Sequence, residues 1–452
     1  MKKKVIAVFD IGKTNKKFLL FNHQFQVVYQ EEEIFPEISD EDGFACDDAA
    51  RIEKWIYGTL DSFMKSSEYQ LTALNFTTYG ATLVYLSENG KRLTPFYNYL
   101  KPVESLLFEP LYQKKGGKTE FCRRTASPAL EMLNSGLQIY WLKLKKNTIY
   151  NQVKSVLHLP QYFSFLFTRR FISELTSIGC HTAMWDFDKN QYHAWLDEEG
   201  IQLPEIVSNR TAFETEFANG KIKIGVGIHD SSASLVPYLD NSADPFILMS
   251  TGTWCITMNP FNEEPLTTEQ LKNDCLCYLG VHQKPVKSSR LFLGPLFEKN
   301  VQRIEQHFSK EPNSYRDVNT DDNLLKSILV GGERMFFSQS ISENYLDTSV
   351  NLDSFENFEQ AYHQLVFDIA KLCETSVRLI LPRKDESKII YVSGGFSRNN
   401  LFVNMLANIF SNKIVFTSKI DNASALGAAL MVASQSGDNP QIDLGLKKYF
   451  PF

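Results

Sequence analysis

Asp230 stands in the run Gly225-Val226-Gly227-Ile228-His229-Asp230-Ser231-Ser232-Ala233-Ser234, a carboxylate set among small residues in what reads as a turn. Shortly after it comes Phe246-Ile247-Leu248-Met249-Ser250-Thr251-Gly252-Thr253-Trp254, an apolar strand that breaks into a Ser/Thr/Gly turn. Such a turn presents successive backbone N–H groups, a nest for phosphate oxygens, and Thr251, Gly252 and Thr253 are the residues expected to form it. A carboxylate that accepts the proton of a hydroxyl as its oxygen bonds to phosphorus is worth roughly 10²–10⁴-fold in rate. The two segments together carry the parts for moving a phosphoryl group onto an alcohol, with Asp230 as the base. His229 has no second carboxylate near it in sequence, beyond Asp230, to orient its ring as a base, so it reads as a polar substrate contact or a structural histidine.

A second phosphate turn is expected near the start of the chain. Asp10 follows the apolar run Val5–Phe9 and precedes Gly12, Lys13, Thr14 and Asn15. Asp10 is the expected holder of Mg²⁺, through water, because magnesium gives up its hydration reluctantly. Lys13 is expected to add positive charge at the terminal phosphate. The turn is not a Walker A loop, since no Gly-x-x-x-x-Gly-Lys-Ser/Thr occurs there. Further on, Ser393-Gly394-Gly395 sits between the strand Ile389–Val392 and a helix starting near Asn400, where open α/β sheets place ligands. Two residues without side chains would let a flat adenine or a ribose lie against the backbone. The small-residue helix Ala423–Ala433, with Gly427 in it, fits either close approach to the nucleotide or tight helix packing.

The elements that must hold these residues follow from the hydrophobic pattern. Val5–Phe9, Phe18–Phe21, Leu71–Phe76 and Leu83–Leu86 read as strands, and Gly136–Lys145 and Glu359–Leu381 as helices. The polar stretch Leu239–Pro245 marks a boundary, giving a first domain over 1–243 and a second over 244–452. The second half restarts as the first began, strand, polar turn, strand, and is read as a structural pseudo-repeat. At 452 residues the chain is too long for one ordinary core, and 43% apolar with 22% charged residues describes a folded globular protein. A net charge of −6 with interspersed Lys and Arg argues against a nucleic-acid partner. Seven cysteines, an odd number without Cys-x-x-Cys pairs, point to reduced thiols and a cytoplasmic location. No apolar run is long enough for a membrane span, and a homodimer is left open.

Taken in order, Asp10-Ile-Gly-Lys-Thr-Asn15, Gly227-Ile-His-Asp230, Ser250-Thr-Gly-Thr-Trp254, Gly394-Gly-Phe-Ser-Arg-Asn399 and Ala425-Leu-Gly-Ala-Ala429 resemble the FGGY family of carbohydrate kinases. The resemblance implies an α/β fold of two actin-like (ribonuclease H-like) ATPase domains with a cleft between them. It implies ATP and Mg²⁺ as cofactors, Gly394, Gly395 and Asn399 at the adenosine, and a small-molecule ketose as substrate. Within the family, Thr77-Thr78-Tyr79-Gly80 is similar to a segment of deoxyketose kinases, which implies Thr78, Tyr79, Gly80, His229 and Asp230 on the sugar. The nearest branches by these motifs phosphorylate L-fuculose and L-rhamnulose at C1; L-ribulose or D-xylulose is the alternative within the family. A nucleotide switch or a sugar sensor of the same fold is the alternative outside catalysis. Two departures fall on the sugar side: Ala81-Thr82 stands where those branches carry an acidic residue, and Tyr97-Asn98-Tyr99-Leu100-Lys101 replaces a Trp-x-Asp-x-Arg segment.

Overall fold

The computed structural model describes residues 2–218, 220–433 and 442–451. Two mixed sheets organise it. The first runs in the order Ala212–Phe217, Gly220–Gly225, Tyr69–Thr78, Lys3–Ile11, Lys16–Phe21, Val27–Glu33, with the short Ile228–His229 also paired to Tyr69–Thr78. The second runs Cys275–Leu279, Pro285–Leu291, Cys255–Asn259, Phe246–Thr251, Ile389–Gly394, Ile414–Thr417, Lys447–Tyr449. The C-terminal segment forms the last of these strands, Lys447–Tyr449, pairing antiparallel with Ile414–Thr417.

Within strand Lys3–Ile11, Val5–Phe9 is an unbroken apolar run because both faces of the strand are covered there. Val5, Ala7, Phe9 and Ile11 pack with Ile52, Ile56 and Leu60 of helix Ala49–Met64. Val8 faces the other way, into a cluster with Ala425, Ala428 and Ala429 of helix Ala423–Ala433. In the second sheet, helix Phe358–Leu379 supplies the cover, started by Asn357, whose side chain accepts the Gln360 N–H at 2.8 Å.

Two findings differ from the sequence reading. Asp230 does not sit in a turn; it is the first residue of a helix, Asp230–Asn241. Two of the serines that made this stretch look loop-like have their hydroxyls on carbonyls, Ser234 on Ser231 at 2.8 Å and Ser232 on Leu279 at 2.9 Å. The apolar side of the helix, Leu235 and Tyr238, packs on Phe246 and Leu248 of the second sheet. Helix Ala423–Ala433, in turn, belongs by sequence to the second half yet covers the first sheet. The two helices cross so tightly that a Cβ on Gly427 would stand 1.9 Å from the Ala233 carbonyl oxygen. Pro237, four residues after Ala233, has no N–H to offer that carbonyl, which leaves it free for the close approach.

Candidate active site

Two hairpins occupy matching places in the two sheets. Gly12–Asn15 closes the first, with the Gly12 N–H donating to the Asn15 carbonyl at 2.9 Å. Gly252–Trp254 closes the second, with the Gly252 N–H donating to the Trp254 carbonyl at 2.9 Å. In each case the first strand of the hairpin has a parallel neighbour on its other side, Tyr69–Thr78 or Ile389–Gly394. The pseudo-repeat read from the sequence is therefore present in the strand pairing. Thr14, Asn15, Gly252 and Thr253 are exposed at the hairpin tips. Helix Leu293–His307 starts against the second tip, where the Gly294 N–H donates to the Thr253 carbonyl at 3.0 Å.

Asp10 lies in register with Lys17 on one side and Thr77 on the other. His229 lies in register with Thr78, so the helix beginning at Asp230 starts beside the same strand end. Burial and then the charge of Asp230 push the Asp10 carboxyl up to about 7, while Lys17 pulls the other way. Asp230 keeps a third of its side chain accessible and accepts the Ser231 N–H at 2.6 Å, at the positive end of its own helix. Two carboxylates in mutual repulsion suit a cation. Among the described residues no group of three or more His, Cys, Asp or Glu is arranged to hold a metal alone. Asp10 fits an ion that draws most of its ligands from water and phosphate, as Mg²⁺ does.

The His229 ring is fixed in one tautomer. Its Nδ1 accepts the Ser231 N–H at 3.2 Å, so in the neutral ring Nε2 carries the proton. Burial holds the ring below its ordinary pKa, against the pull of Asp230, and the neutral form prevails. Nε2 stands 2.8 Å from where a Cβ on Gly80 would be, so this contact needs glycine.

Around Tyr79 the structure gathers an ion-pair network. Its hydroxyl donates to Asp47 Oδ2 at 2.7 Å, and its ring meets Tyr99 edge-on at 6.3 Å. Lys16 Nζ reaches Asp47 Oδ1 at 3.1 Å. Burial works against the Asp47 charge, yet Lys13, Tyr79 and Lys16 hold its carboxyl below the usual range. Lys13, expected at the terminal phosphate, has its ammonium on Glu37 at 2.8 Å and Asp47 at 2.9 Å. Two carboxylates thus neutralise the charge that was to serve phosphate.

On the second sheet, Thr251 donates its hydroxyl to the Ser393 carbonyl at 2.5 Å and accepts the Phe396 N–H at 3.1 Å. Its side chain ties two strands together, which leaves any phosphate contact to the backbone of Gly252 and Thr253. Gly394 has φ +82° and would place a Cβ 1.8 Å from the Thr251 carbonyl oxygen. Gly395 and Asn399 line a cavity of about 630 Å³ with Tyr315, Arg316 and Tyr362. Asn399 caps the helix Asn400–Ile409 by accepting the Phe402 N–H at 3.1 Å, and its amide donates to the Tyr362 hydroxyl at 2.9 Å. Gly427 is not in this cavity; the helix crossing described above is its reason, and the expectation of an adenosine contact gives way to packing.

The comparisons with known proteins bear on this geometry. The family model described as FGGY family of carbohydrate kinases, N-terminal domain, matches residues 5–234, and that described as carbohydrate kinase FGGY, C-terminal domain, matches residues 243–440. The chain belongs to the FGGY family of carbohydrate kinases. It is a sugar kinase, which decides against the non-catalytic switch. A rhamnulokinase of Oceanobacillus iheyensis is 21% identical over 91% of this chain and 89% of its own length. A rhamnulokinase of Halalkalibacterium halodurans is 23% identical over 92% and 88%. The structure of a ligand-bound xylulose kinase from Lactobacillus acidophilus superposes with a TM-score of 0.77 at 17% identity, covering 99% of this chain and 94% of that one. The fold is accordingly the two-domain, actin-like one. Among the described residues no helix is long and apolar enough to cross a membrane.

Several groups of this kinase near the cleft were not singled out from sequence. Asp47 comes from a loop more than thirty positions from its partners Lys13, Lys16 and Tyr79. His158 is buried and His181 half-buried, each close enough to His229 to be held neutral, His158 down to about 3 and His181 to about 4, in both cases chiefly by desolvation of the ring. Tyr99 carried a signal as a departure from the family pattern, and its phenol feels the charges of Lys13, Asp47 and Asp230. Lys101, the other half of that departure, is buried between Asp40 and Asp42 and serves the fold.

Proposed function

We propose that this kinase transfers the γ-phosphoryl group of ATP to the C1 hydroxyl of a 6-deoxyketose, with L-rhamnulose first and L-fuculose second. The observation that carries the reading is the placement of Asp230, accessible, at the head of a helix and electrostatically coupled to Asp10. In this reading Asp230 accepts the proton of the C1 hydroxyl as its oxygen approaches phosphorus. His229 donates its Nε2 hydrogen to a neighbouring sugar oxygen in a hydrogen bond, and with its Nδ1 lone pair taken by the Ser231 N–H it does not compete as a base. Gly252, Thr253, Gly12, Thr14 and Asn15 offer backbone and side-chain donors to the phosphates, and the cavity at Gly395 and Asn399 takes the adenosine. Asp10 would hold Mg²⁺ through water, and the ion would supply positive charge to the phosphates. Tyr79, held by Asp47 and braced by Tyr99, offers an aromatic wall to the C–H face of the sugar. Drawing the two hairpins together excludes water, the competing phosphoryl acceptor.

Two relatives that are rhamnulokinases support the order of substrates, although each is under a quarter identical. The test is ADP formation across L-rhamnulose, L-fuculose, L-ribulose, D-xylulose and glycerol at equal concentration. A clear preference for a 6-deoxyketose is expected; a preference for D-xylulose or glycerol refutes the substrate assignment, and no turnover with any of them refutes the proposed function.

A further inference from the structure

One cation of the second sheet is aimed at the acceptor side. In strand Pro285–Leu291 the alternation of a pleated strand puts Val286, Ser288 and Arg290 on one face. Val286 packs there with Cys180 of the first domain and with Leu235 and Tyr238 of the helix headed by Asp230. The adjoining contact is close, since a Cβ on Gly179 would fall 2.5 Å from Leu279 Cγ on the neighbouring strand. Arg290 lies on that same face, and its charge is felt at His181, the residue after Cys180. Its guanidinium lies over Trp254, just past the second phosphate turn, at 5.3 Å from the ring centre, and Nη2 reaches Asp274 at 2.9 Å. The Nε–H has no partner among the described residues, nor does Nδ1 of His181, and both atoms are buried. Each side chain still keeps accessible surface, 30% for Arg290. A buried polar atom left without a partner is destabilising, so the two together ask for one.

We propose that Arg290 and His181 form a hydroxyl-reading pair across the cleft, a donor from the second domain and an acceptor from the first that close on one secondary hydroxyl of the acceptor sugar. The inference rests on the sugar-kinase reading of the site and names how that site gains a contact from both domains. A neutral imidazole accepts through one nitrogen, and a guanidinium can only donate, so one hydroxyl satisfies both. The burial of His181, the nearby His229 and the Arg290 charge keep that ring neutral, against the backbone carbonyls around it. A sugar bridging the pair would couple its own binding to closure.

The experiment uses the full chain with the preferred sugar of the panel. Binding is followed without ATP by calorimetry and by the fluorescence of Trp254, with Trp254→Phe as the blank. Arg290→Met is expected to weaken sugar binding about 10- to 100-fold, the range of a hydrogen bond to a charged group. KM for ATP should move less than twofold, the Trp254 response should be lost, and Arg290→Lys should recover part of the affinity. A monodeoxy sugar lacking the hydroxyl that is read should bind wild type and Arg290→Met equally. Unchanged sugar affinity in Arg290→Met overturns the pair, and so do equal losses for sugar and ATP. Because binding is read apart from turnover, a chain that phosphorylates none of the panel overturns the proposed function while a selective loss of sugar affinity still supports the pair.

Discussion

Adjacent glycines in Gly394-Gly395 should respond to the same substitution in opposite ways. In Gly394→Ala the new Cβ meets the Thr251 carbonyl oxygen at 1.8 Å, and the residue must hold φ +82°. The left-handed backbone costs roughly 1–2 kcal/mol for an L-residue, and forcing atoms into a packed strand pair adds roughly 1–3 kcal/mol. The sum is about 2–5 kcal/mol, and the strands can relieve it only by loosening the Thr251 bonds to Ser393 and Phe396. At about 2–4 °C per kcal/mol for a domain of this size, Tm should fall by about 4–20 °C. Gly395 has nothing within 4 Å of its would-be Cβ and no left-handed φ. Gly395→Ala should leave Tm within about 1 °C, since an unhindered surface site rarely moves stability by more than about 0.5 kcal/mol. Yet its methyl enters the cavity assigned to adenosine, so KM for ATP should rise by about tenfold while KM for sugar stays put. Differential scanning fluorimetry and steady-state kinetics on the two variants decide it. A stable Gly394→Ala refutes the packing argument, and a Gly395→Ala with wild-type KM for ATP refutes the adenosine site.

Asp230→Asn should lower turnover by about 10²–10⁴-fold while calorimetry shows unchanged ATP binding; near-normal turnover rejects Asp230 as the base. Tyr79→Ala should raise KM for sugar well above any change for ATP, and equal changes place Tyr79 outside the sugar pocket. Gly427→Ala forces the crossing helices apart, because ordinary contact begins near 3.4 Å and the present approach is 1.9 Å. It should lower both Tm and kcat, the second because misplacing a reacting group by ~1 Å can cost ~10²-fold, and a kcat that survives while Tm drops separates the two effects. His158, fully buried and held down to about 3, should make stability depend on pH. Its ordinary value near 6.5 applies to the unfolded chain, which therefore takes up the proton first as pH falls. Stability should decline from about pH 6.5 downward, by at most about 1.4 kcal/mol per pH unit for this group, and urea midpoints between pH 7 and 5 should fall less steeply in His158→Gln. An identical slope in the variant refutes the assignment.

Local chemistry was legible in the sequence and long-range geometry was not. The two hairpins announced themselves because an apolar strand, a polar glycine turn and a second strand are contiguous in the chain. Helix Phe358–Leu379 was readable to within two residues because its apolar face repeats over six turns. The helix after His229 was missed because its serines are polar by composition but satisfied by carbonyls, some of them on other elements. Asp47 and Arg290 escaped notice for a different reason: an ordinary Asp in a loop and an ordinary Arg at a strand end acquire meaning only from partners far away in the chain. Lys13, assigned to phosphate by its neighbours in sequence, has partners the sequence did not show, Glu37 and Asp47.

The reciprocal covering of the two sheets has a consequence for the kinase as a folding object. A fragment ending at residue 243 would carry the whole first sheet but lack helix Ala423–Ala433, leaving Val8, Leu19, Phe21 and Ile228 bare on one side. The complementary fragment would lack Leu235 and Tyr238, which cap the face of Phe246, Leu248 and Tyr391. Neither piece is self-sufficient, so the linker between the halves is a poor place for a cut. Bisecting the chain there should yield two sticky polypeptides that regain solubility only when mixed.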